Sequence, residues 1–410
     1  MSLIGGISIG AAIFVVAYVL LLSSLSIGGY PNERLVYALS EQNNTDTNNQ
    51  SSSISILNKK GLDLLSSASY NEAITYFDKI LAINSTDATA LNNKAFTLYS
   101  LGKYNDAISY YDKAIAIRPN YATALNNKGL ALNDLGNYTA AITYYDKSLA
   151  IRPNDSTTLD NKGYALYSLG KYSEAISYYD KSLAIDPTDA AVLNHKGIAL
   201  ADSGKYSEAI TYFDKALAIR PNYITALDNK AFSLRQLGRD NEAIVYYDKA
   251  ISIDPSNTKP LNGKGLALIN LGKYNDAITY IDKALAIEAN DAVLLNGKGF
   301  ALYSLGKYSD AVGYYDKSLA IEPNYATALN NKALALLKLE KPNDAIMYID
   351  KALSIDPNDP ESLNSKGVIL ANLGKYYEAI KYIDKALSIR PNYATALDNK
   401  NKILGLLGKQ

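Results

Sequence analysis

Ten Asp–Lys dipeptides stand at one fixed interval along this chain. They run from Asp78-Lys79 through Asp112-Lys113, Asp146-Lys147 and Asp180-Lys181 to Asp384-Lys385. Carboxylates do acid–base work when a second reacting group lies within hydrogen-bond reach. Here each Asp has an adjacent Lys and no second carboxylate grouped with it in its own interval. The ladder therefore reads as a solvated, charge-balanced outer face. His195 is the one histidine and there is no Cys. A lone imidazole builds neither a multi-histidine metal site nor a Cys/His dyad, and reads as a polar residue standing in for Asn. The lack of Cys removes disulfides, thiolate nucleophiles and thiolate metal sites, and leaves the redox compartment open. The sequence holds no Gly-rich phosphate loop, nucleophile elbow or metal-spaced cluster. We expect no catalytic residue, no cofactor, no metal and no small-molecule substrate. Lys plus Arg number 41 and Asp plus Glu number 41, so the net charge is zero. A nucleic-acid binder would carry a basic excess, and none is expected as partner.

A second set of polar side chains suggests binding. One row holds Asn93, Asn127, Asn161, His195, Asn229 and Asn331, interrupted by Gly263, Gly297 and Ser365. Its neighbour holds Asn92, Asn126, Asp160, Asn194 and Asn296. An amide side chain offers donor and acceptor at once, so a row of them suits an extended peptide backbone of any sequence. A third row is apolar, with Phe96, Leu130, Tyr164, Phe232 and Phe300, and would bury a partner's side chains. The rows also have an architectural use. Asn can bridge adjacent units, and an apolar row can seal the contact between them.

All these positions are set by a 34-residue unit that repeats ten times from Ile54 to Tyr393. Ala73, Ala107, Ala141 and their successors to Ala379 never vary. A fixed period of this length means a solenoid, in which each unit buries its apolar face against its neighbours. Within one unit, Leu91, Ala95, Leu98 and Gly102 share a helical face. Gly102 stops that first helix by tolerating left-handed geometry. A second helix starts after Tyr104, with Asn105 as its expected N-cap. Its inner face is Ala107, Ile108, Tyr111, Ala114 and Ile115, and Pro119 ends it. The invariant Ala lets the two helices approach, and Gly129, Gly163 and Gly197 supply the facing gap. One slot holds Lys in every copy from Lys60 to Lys400. It reads as a packed aliphatic stem whose ammonium reaches solvent or a carboxylate. Glu340 replaces a helix-ending Gly, with Pro342 nearby, so that joint is expected to be strained.

The run Leu125, Gly129, Leu132, Gly136-Asn137-Tyr138, Ala141, Tyr145 and Pro153 resembles the tetratricopeptide repeat, and does so through all ten units. The family's frequent Trp is Leu here, as at Leu91, Leu125 and Leu159. The resemblance implies an all-α fold, a right-handed superhelical solenoid of ten helix–turn–helix units over 54–393. Residues 394–410 look like the single solvating helix that closes such arrays. It also implies that Thr89, Asn93, Phe96 and Ser100 line a concave groove. The Asn rows resemble the asparagine ladder that holds substrate peptide in O-GlcNAc transferase. The carboxylate clamp of chaperone-binding members needs Lys and Arg on successive first helices. Here the inward slots are largely neutral, with Lys259 and Arg235 isolated, so an acidic tail is not the expected partner.

Ahead of the repeats, residues 3–27 carry no charge. A bilayer span needs about 20 apolar residues. No Lys or Arg precedes the run, so 1–28 reads as a retained single-pass anchor or uncleaved signal rather than a cleaved leader. Residues 29–53, in which Glu41 to Ser51 hold no apolar residue, read as a flexible tether. The Lys-poor tether favours a solenoid outside the cytoplasm, whereas Arg34 alone favours the reverse. The expected function is a membrane-tethered scaffold that binds a peptide or protein in the groove. The alternatives are an assembly subunit of a membrane complex, or a subunit presenting substrate to a transferase on another chain.

Overall fold

Apolar residues at helical spacing, broken by Gly at fixed intervals, fold here into helices alone. The computed structural model describes residues 49–408, and these contain 21 α-helices and no strand. They form ten successive pairs and a final single helix, Ala394–Leu407. The expected anchor at 1–28 and most of the tether lie outside the described residues. The first helix, Asn49–Ser66, begins inside the stretch read as tether. Ile54 and Leu57 pack on the first core cluster, and the polar residues ahead of them continue that helix. Among the described residues no helix is long and apolar enough to cross a membrane. The array forms two compact bodies, one reaching Ser233 and the other starting at Leu234.

The pair Ala88–Ser100 and Tyr104–Ile117 shows why each unit turns where it does. Gly102 lies at φ +74°, the Lys103 N–H donates to Leu98 O at 2.9 Å, and the Gly102 N–H donates to Tyr99 O. This satisfies carbonyls that the helix end would otherwise orphan. The second helix then starts at Tyr104 directly after Lys103, with no side-chain cap. Asn105 is therefore inside the first turn and is not the N-cap. The turn is so tight that the chain re-enters helix two residues after Gly102. Most side-chain caps belong to the first helices instead, with Asn137, which accepts from the Ala140 N–H, capping a second helix. Asp87 accepts from the N–H groups of Thr89 and Ala90, and Asp155, Asp189, Asp291 and Asp359 act alike. Each such cap is worth roughly 1 kcal/mol.

The repeated Ala is fully buried in every unit, Ala73 through Ala379. The Gly expected to face it faces an aromatic ring. A Cβ on Gly129 would lie 2.5 Å from the Tyr145 ring, and one on Gly163 2.6 Å from Tyr179. Gly is needed there to seat a large buried side chain against the first helix. Gly367 combines both roles, because its Cβ would meet Ile383 at 2.5 Å and the Ala379 carbonyl at 3.0 Å. Glu340 holds the left-handed conformation that Gly holds elsewhere, at φ +59°, and so does Ala68. The strain expected at Glu340 is thus present, and Pro342 sits at the first turn of the helix that follows.

Candidate partner-binding face

The outer side of each joint is built by the repeated Lys. Its stem is buried, and its ammonium reaches the Asp of the preceding unit: Lys128 to Asp112, Lys162 to Asp146, Lys196 to Asp180. The same ammonium donates to a Tyr hydroxyl of its own unit, Lys128 to Tyr144 at 2.8 Å and Lys162 to Tyr178 at 2.7 Å. The ring of Tyr144 also lies between two cations, Lys128 at 4.1 Å and Lys147 at 4.9 Å. Burial by itself would lower the Lys128 pKa. The bonds to Asp112 and Tyr144 outweigh it, and the net shift is upward. The Asp–Lys ladder is therefore a charge-balanced outer face, as expected, with one addition. Each Asp is bonded by a Lys 16 residues further on, in the next unit.

The other side of the joint is built by the Asn rows. The Nδ2 of Asn127 donates to Asn92 Oδ1, Asn161 to Asn126, Asn229 to Asn194, Asn331 to Asn296 and Asn93 to Asn58. Asn92 and Asn126 in turn donate to Asn93 and Asn127, their neighbours in sequence. The result is an unbroken run of amides from Asn161 to Asn58. Asn92, Asn93, Asn126, Asn127, Asn161, Asn194, Asn229 and Asn331 are all buried. Amides turned to one another in this way offer a partner's backbone little unless a neighbouring unit gives up its bond. The bridging use open in the sequence is the one this geometry displays. His195 takes the Asn slot and keeps the pattern, with Nδ1 2.9 Å from Asp160 Oδ1. Its ring lies between Tyr164 and Tyr179, with centroids 6.4 and 6.0 Å away. At Gly263 the row stops for a steric reason: a Cβ there would lie 2.4 Å from the Tyr247 ring.

The apolar row is divided. Phe96, Leu130 and Phe232 are buried, whereas Tyr164 and Phe300 are half-buried. Around them stand aromatic groups that the row did not include. Phe96 stacks with Tyr99, and Tyr99 meets Tyr104. Tyr164, Tyr167 and Tyr172 repeat this arrangement, and so do Phe300, Tyr303 and Tyr308. The Tyr99 hydroxyl donates to Asp134 and the Tyr167 hydroxyl to Asp202, each in the following unit. Burial lifts the Asp202 carboxyl to about 6, against the lowering effect of the Tyr167 bond. Among the described residues no group of three or more His, Cys, Asp or Glu could hold a metal ion.

Family models described as tetratricopeptide repeat match residues 86–154, 120–188, 161–224, 224–257, 246–279, 292–325, 326–359 and 360–393. Together they span most of the chain. The chain belongs to the tetratricopeptide-repeat family. A solved tetratricopeptide repeat protein from Parabacteroides merdae is similar at 20% identity and a TM-score of 0.54, covering 61% of this chain and 98% of that one. The Cut9–Hcn1 hetero-tetramer of APC/C is 16% identical with a TM-score of 0.48, over 86% of this chain and 96% of that one. Yeast Tom70 gives 16% and 0.48, over 88% and 97%. At these identities the likeness concerns the fold alone. Among curated proteins none matches in sequence.

Three features of the repeat face were not anticipated. The Tyr–Asp bridges have a signal in the sequence, since Tyr99 and Asp134 recur as Tyr167 and Asp202 after two units. The exposed row of isoleucines ending the second helices, Ile117, Ile151, Ile185 and Ile219 at 38–43% exposed, has the 34-residue spacing as its signal. The pairing of each Lys with the previous unit's Asp has none within a unit, because the bond crosses the joint.

Proposed function

We propose that this protein is a membrane-tethered interaction scaffold that binds a peptide or protein along the first-helix face of its repeats. Residues 1–28 hold it to the membrane, the polar stretch after them spaces it, and the solenoid lies outside the cytoplasm. Repeats over 54–393 present the face, and the segment 394–410, with its helix Ala394–Leu407, closes the array. One observation supports the reading most: half-buried aromatic groups such as Tyr164–Tyr167–Tyr172 stand on a face whose polar wall is braced by the Asn rows. Aromatic rings give a large contact area at low entropic cost. In this reading Asn93, Asn127, Asn161, Asn229 and Asn331, with Asn92, Asn126 and Asn194, set the shape of the groove. Phe96, Leu130, Tyr164, Phe232 and Phe300 supply its apolar floor.

The test is site-specific photo-crosslinking in native membranes, with a benzophenone amino acid at Ser100 or Ser168 and, for comparison, at Lys113 or Lys181. Partner adducts from the two Ser positions and not from the Lys positions are expected. Adducts from the Lys positions alone would overturn the groove reading. Alkaline carbonate extraction and protease treatment of intact cells check the tether. Release into the soluble fraction, or a solenoid protected until lysis, would overturn the anchor or the outward orientation respectively.

A further inference from the structure

We propose that the groove face between Thr89 and Asp202 takes an extended basic segment, a peptide whose Lys or Arg side chains meet two repeated acidic–aromatic stations. The proposal rests on the groove reading above and names the chemistry of its partner. From Thr89 to Asp202 the groove-facing slots of the first helices carry Asp134, Asp160 and Asp202 and no Lys or Arg. The other acids of the ladder here are cancelled locally, Asp112 by Lys128 and Asp146 by Lys162. The groove acids are not cancelled in that way. Asp134 accepts from the Tyr99 hydroxyl and the Asn133 amide, Asp202 accepts from Tyr167, and Asp160 faces His195. The Tyr hydroxyls and the Asn133 amide, which are neutral donors, hold Asp134 and Asp202 in place and leave their charge. Cations flank the slots: Lys103, Lys171 and Lys205 stand exposed in the turns within units, Lys205 three residues after Asp202, and Arg152 donates to Thr123. Arg118 lies over the Tyr121 ring at 4.4 Å, and Arg152 faces Asp155 at 3.9 Å. The slots themselves thus carry acids and no cation of their own.

The arrangement also has a period. Tyr99 with Asp134 and Tyr167 with Asp202 are the same station two units apart. At each, a second ring stacks on the Tyr, Phe96 at 5.8 Å and Tyr164 at 6.5 Å between centroids. The unit between carries Leu130 instead, and the unit after the second station Ile198. A ring face beside a carboxylate suits a Lys or Arg side chain in both parts, the stem on the ring and the charge at the acid. Asp202 gains most from such a visitor, because burial already raises it to about 6 and a cation would restore the charged form.

The test uses the full chain in neutral detergent. The probes are a fluorescein-labelled 20-residue peptide of Gly and Ser with evenly spaced Lys, and the same peptide with Glu at each Lys. Anisotropy should show the Lys peptide binding at least tenfold tighter. Asp134→Asn with Asp202→Asn should weaken it at least tenfold and flatten its salt dependence. Asp112→Asn with Asp180→Asn, the same charge change on the outer face, should alter it less than twofold. Equal loss in both doubles would overturn the proposal as general charge attraction. Circular dichroism checks that each variant is folded. Wild-type affinity should fall as pH drops from 7.5 to 5, through the Asp202 carboxyl, and this fall should shrink in Asp202→Asn. A flat wild-type profile would overturn the proposal even if the double variant fails to fold. A Glu peptide that binds and crosslinks at Ser100 or Ser168 would overturn the basic segment and leave the groove. If neither peptide crosslinks there, the groove reading itself falls.

Discussion

Replacing Asn127 by Ala should open the joint between the units 88–121 and 122–155. Asn127 donates to Asn92 and accepts from Asn126, and all three are buried. Two bonds at about 0.5–1.5 kcal/mol each give roughly 1–3 kcal/mol. The Asn92 oxygen is then left buried without its donor, and this places the cost in the upper part of that range, about 2–3 kcal/mol. Asn105→Ala, on an exposed second-helix turn, should cost no more than about 0.5 kcal/mol. Repeat arrays open joint by joint, so a single global midpoint is a blunt reading. Native-state hydrogen exchange is the better assay. Amides of the helix Ala122–Asp134 should exchange faster in Asn127→Ala, while those of the helix Ala190–Asp202, two units on, should not. Asn127→His should be milder, since His195 serves the same slot. Unchanged exchange together with a large loss of partner capture would refute the bridging account and return the Asn to direct contact with the partner.

Tyr315→Phe should leave the array as stable or stabilise it by about 1 kcal/mol, because the buried Tyr315 hydroxyl has no hydrogen-bond partner and such a group costs about that much. Phe77 and Phe213 already fill this slot in other units, and a urea midpoint that falls by more than experimental error would count against the reasoning. Glu340→Gly should stabilise by about 1 kcal/mol by relieving the left-handed backbone, measured as slower exchange across the helix Pro342–Ile355; Ala68→Gly should act similarly on the first unit. Glu361 is raised to about 7 by burial, which outweighs the bond from Arg390. A raised carboxyl favours the fold below its unfolded pKa, and that contribution is lost as pH rises through the folded one. Stability should therefore decline between about pH 4.5 and 7 on this account, and a pH series of thermal midpoints should be flatter for Glu361→Gln.

The period, the helix pairs and the Gly breaks were legible because each is a local event repeated many times. Gly102 announces a left-handed residue, and the structure puts one there. Asn105 misled because good capping chemistry is common near a turn, while the turn itself decides which residue stands first. Asp87 and Asp155 carry the caps because they end the turns between units, each standing directly before a first helix. The Asn rows were legible as rows, but their partners were not. An amide serves a peptide backbone and another amide equally well, and only the offset between adjacent first helices brings Asn127 to Asn92. The Lys slot shows the same limit. Its stem and its need for a carboxylate could be read within one unit, whereas Asp112 as the partner of Lys128 required the joint.

Each joint thus has an outer ionic bond, and most have an inner polar bond, which is an Asn bridge except where His195 meets Asp160; at Gly263, Gly297 and Ser365 the slot carries no Asn. Gly297 faces only Ile281, at 3.6 Å from where its Cβ would stand, so the joint between 258–291 and 292–325 has no Asn bridge at that slot. Its outer pair, Lys298 with Asp282, remains, with Asp282 45% exposed. The next joint has both bonds, Lys332 to Asp316 and Asn331 to Asn296. Ion pairs with a half-exposed member are worth about 0–1 kcal/mol and are screened by salt, whereas a buried amide–amide bond is not. Raising sodium chloride from about 0.05 to 1 M shortens the Debye length from over 10 Å to about 3 Å. Exchange in the helix Ala292–Ser304 should then speed up more than in the helix Ala326–Lys338. Gly297→Asn should reduce the difference by giving Asn262 an amide to bond. Equal salt sensitivity in the two helices would mean that the inner bond does not hold the joint, and the division of labour between the ladders would have to be given up.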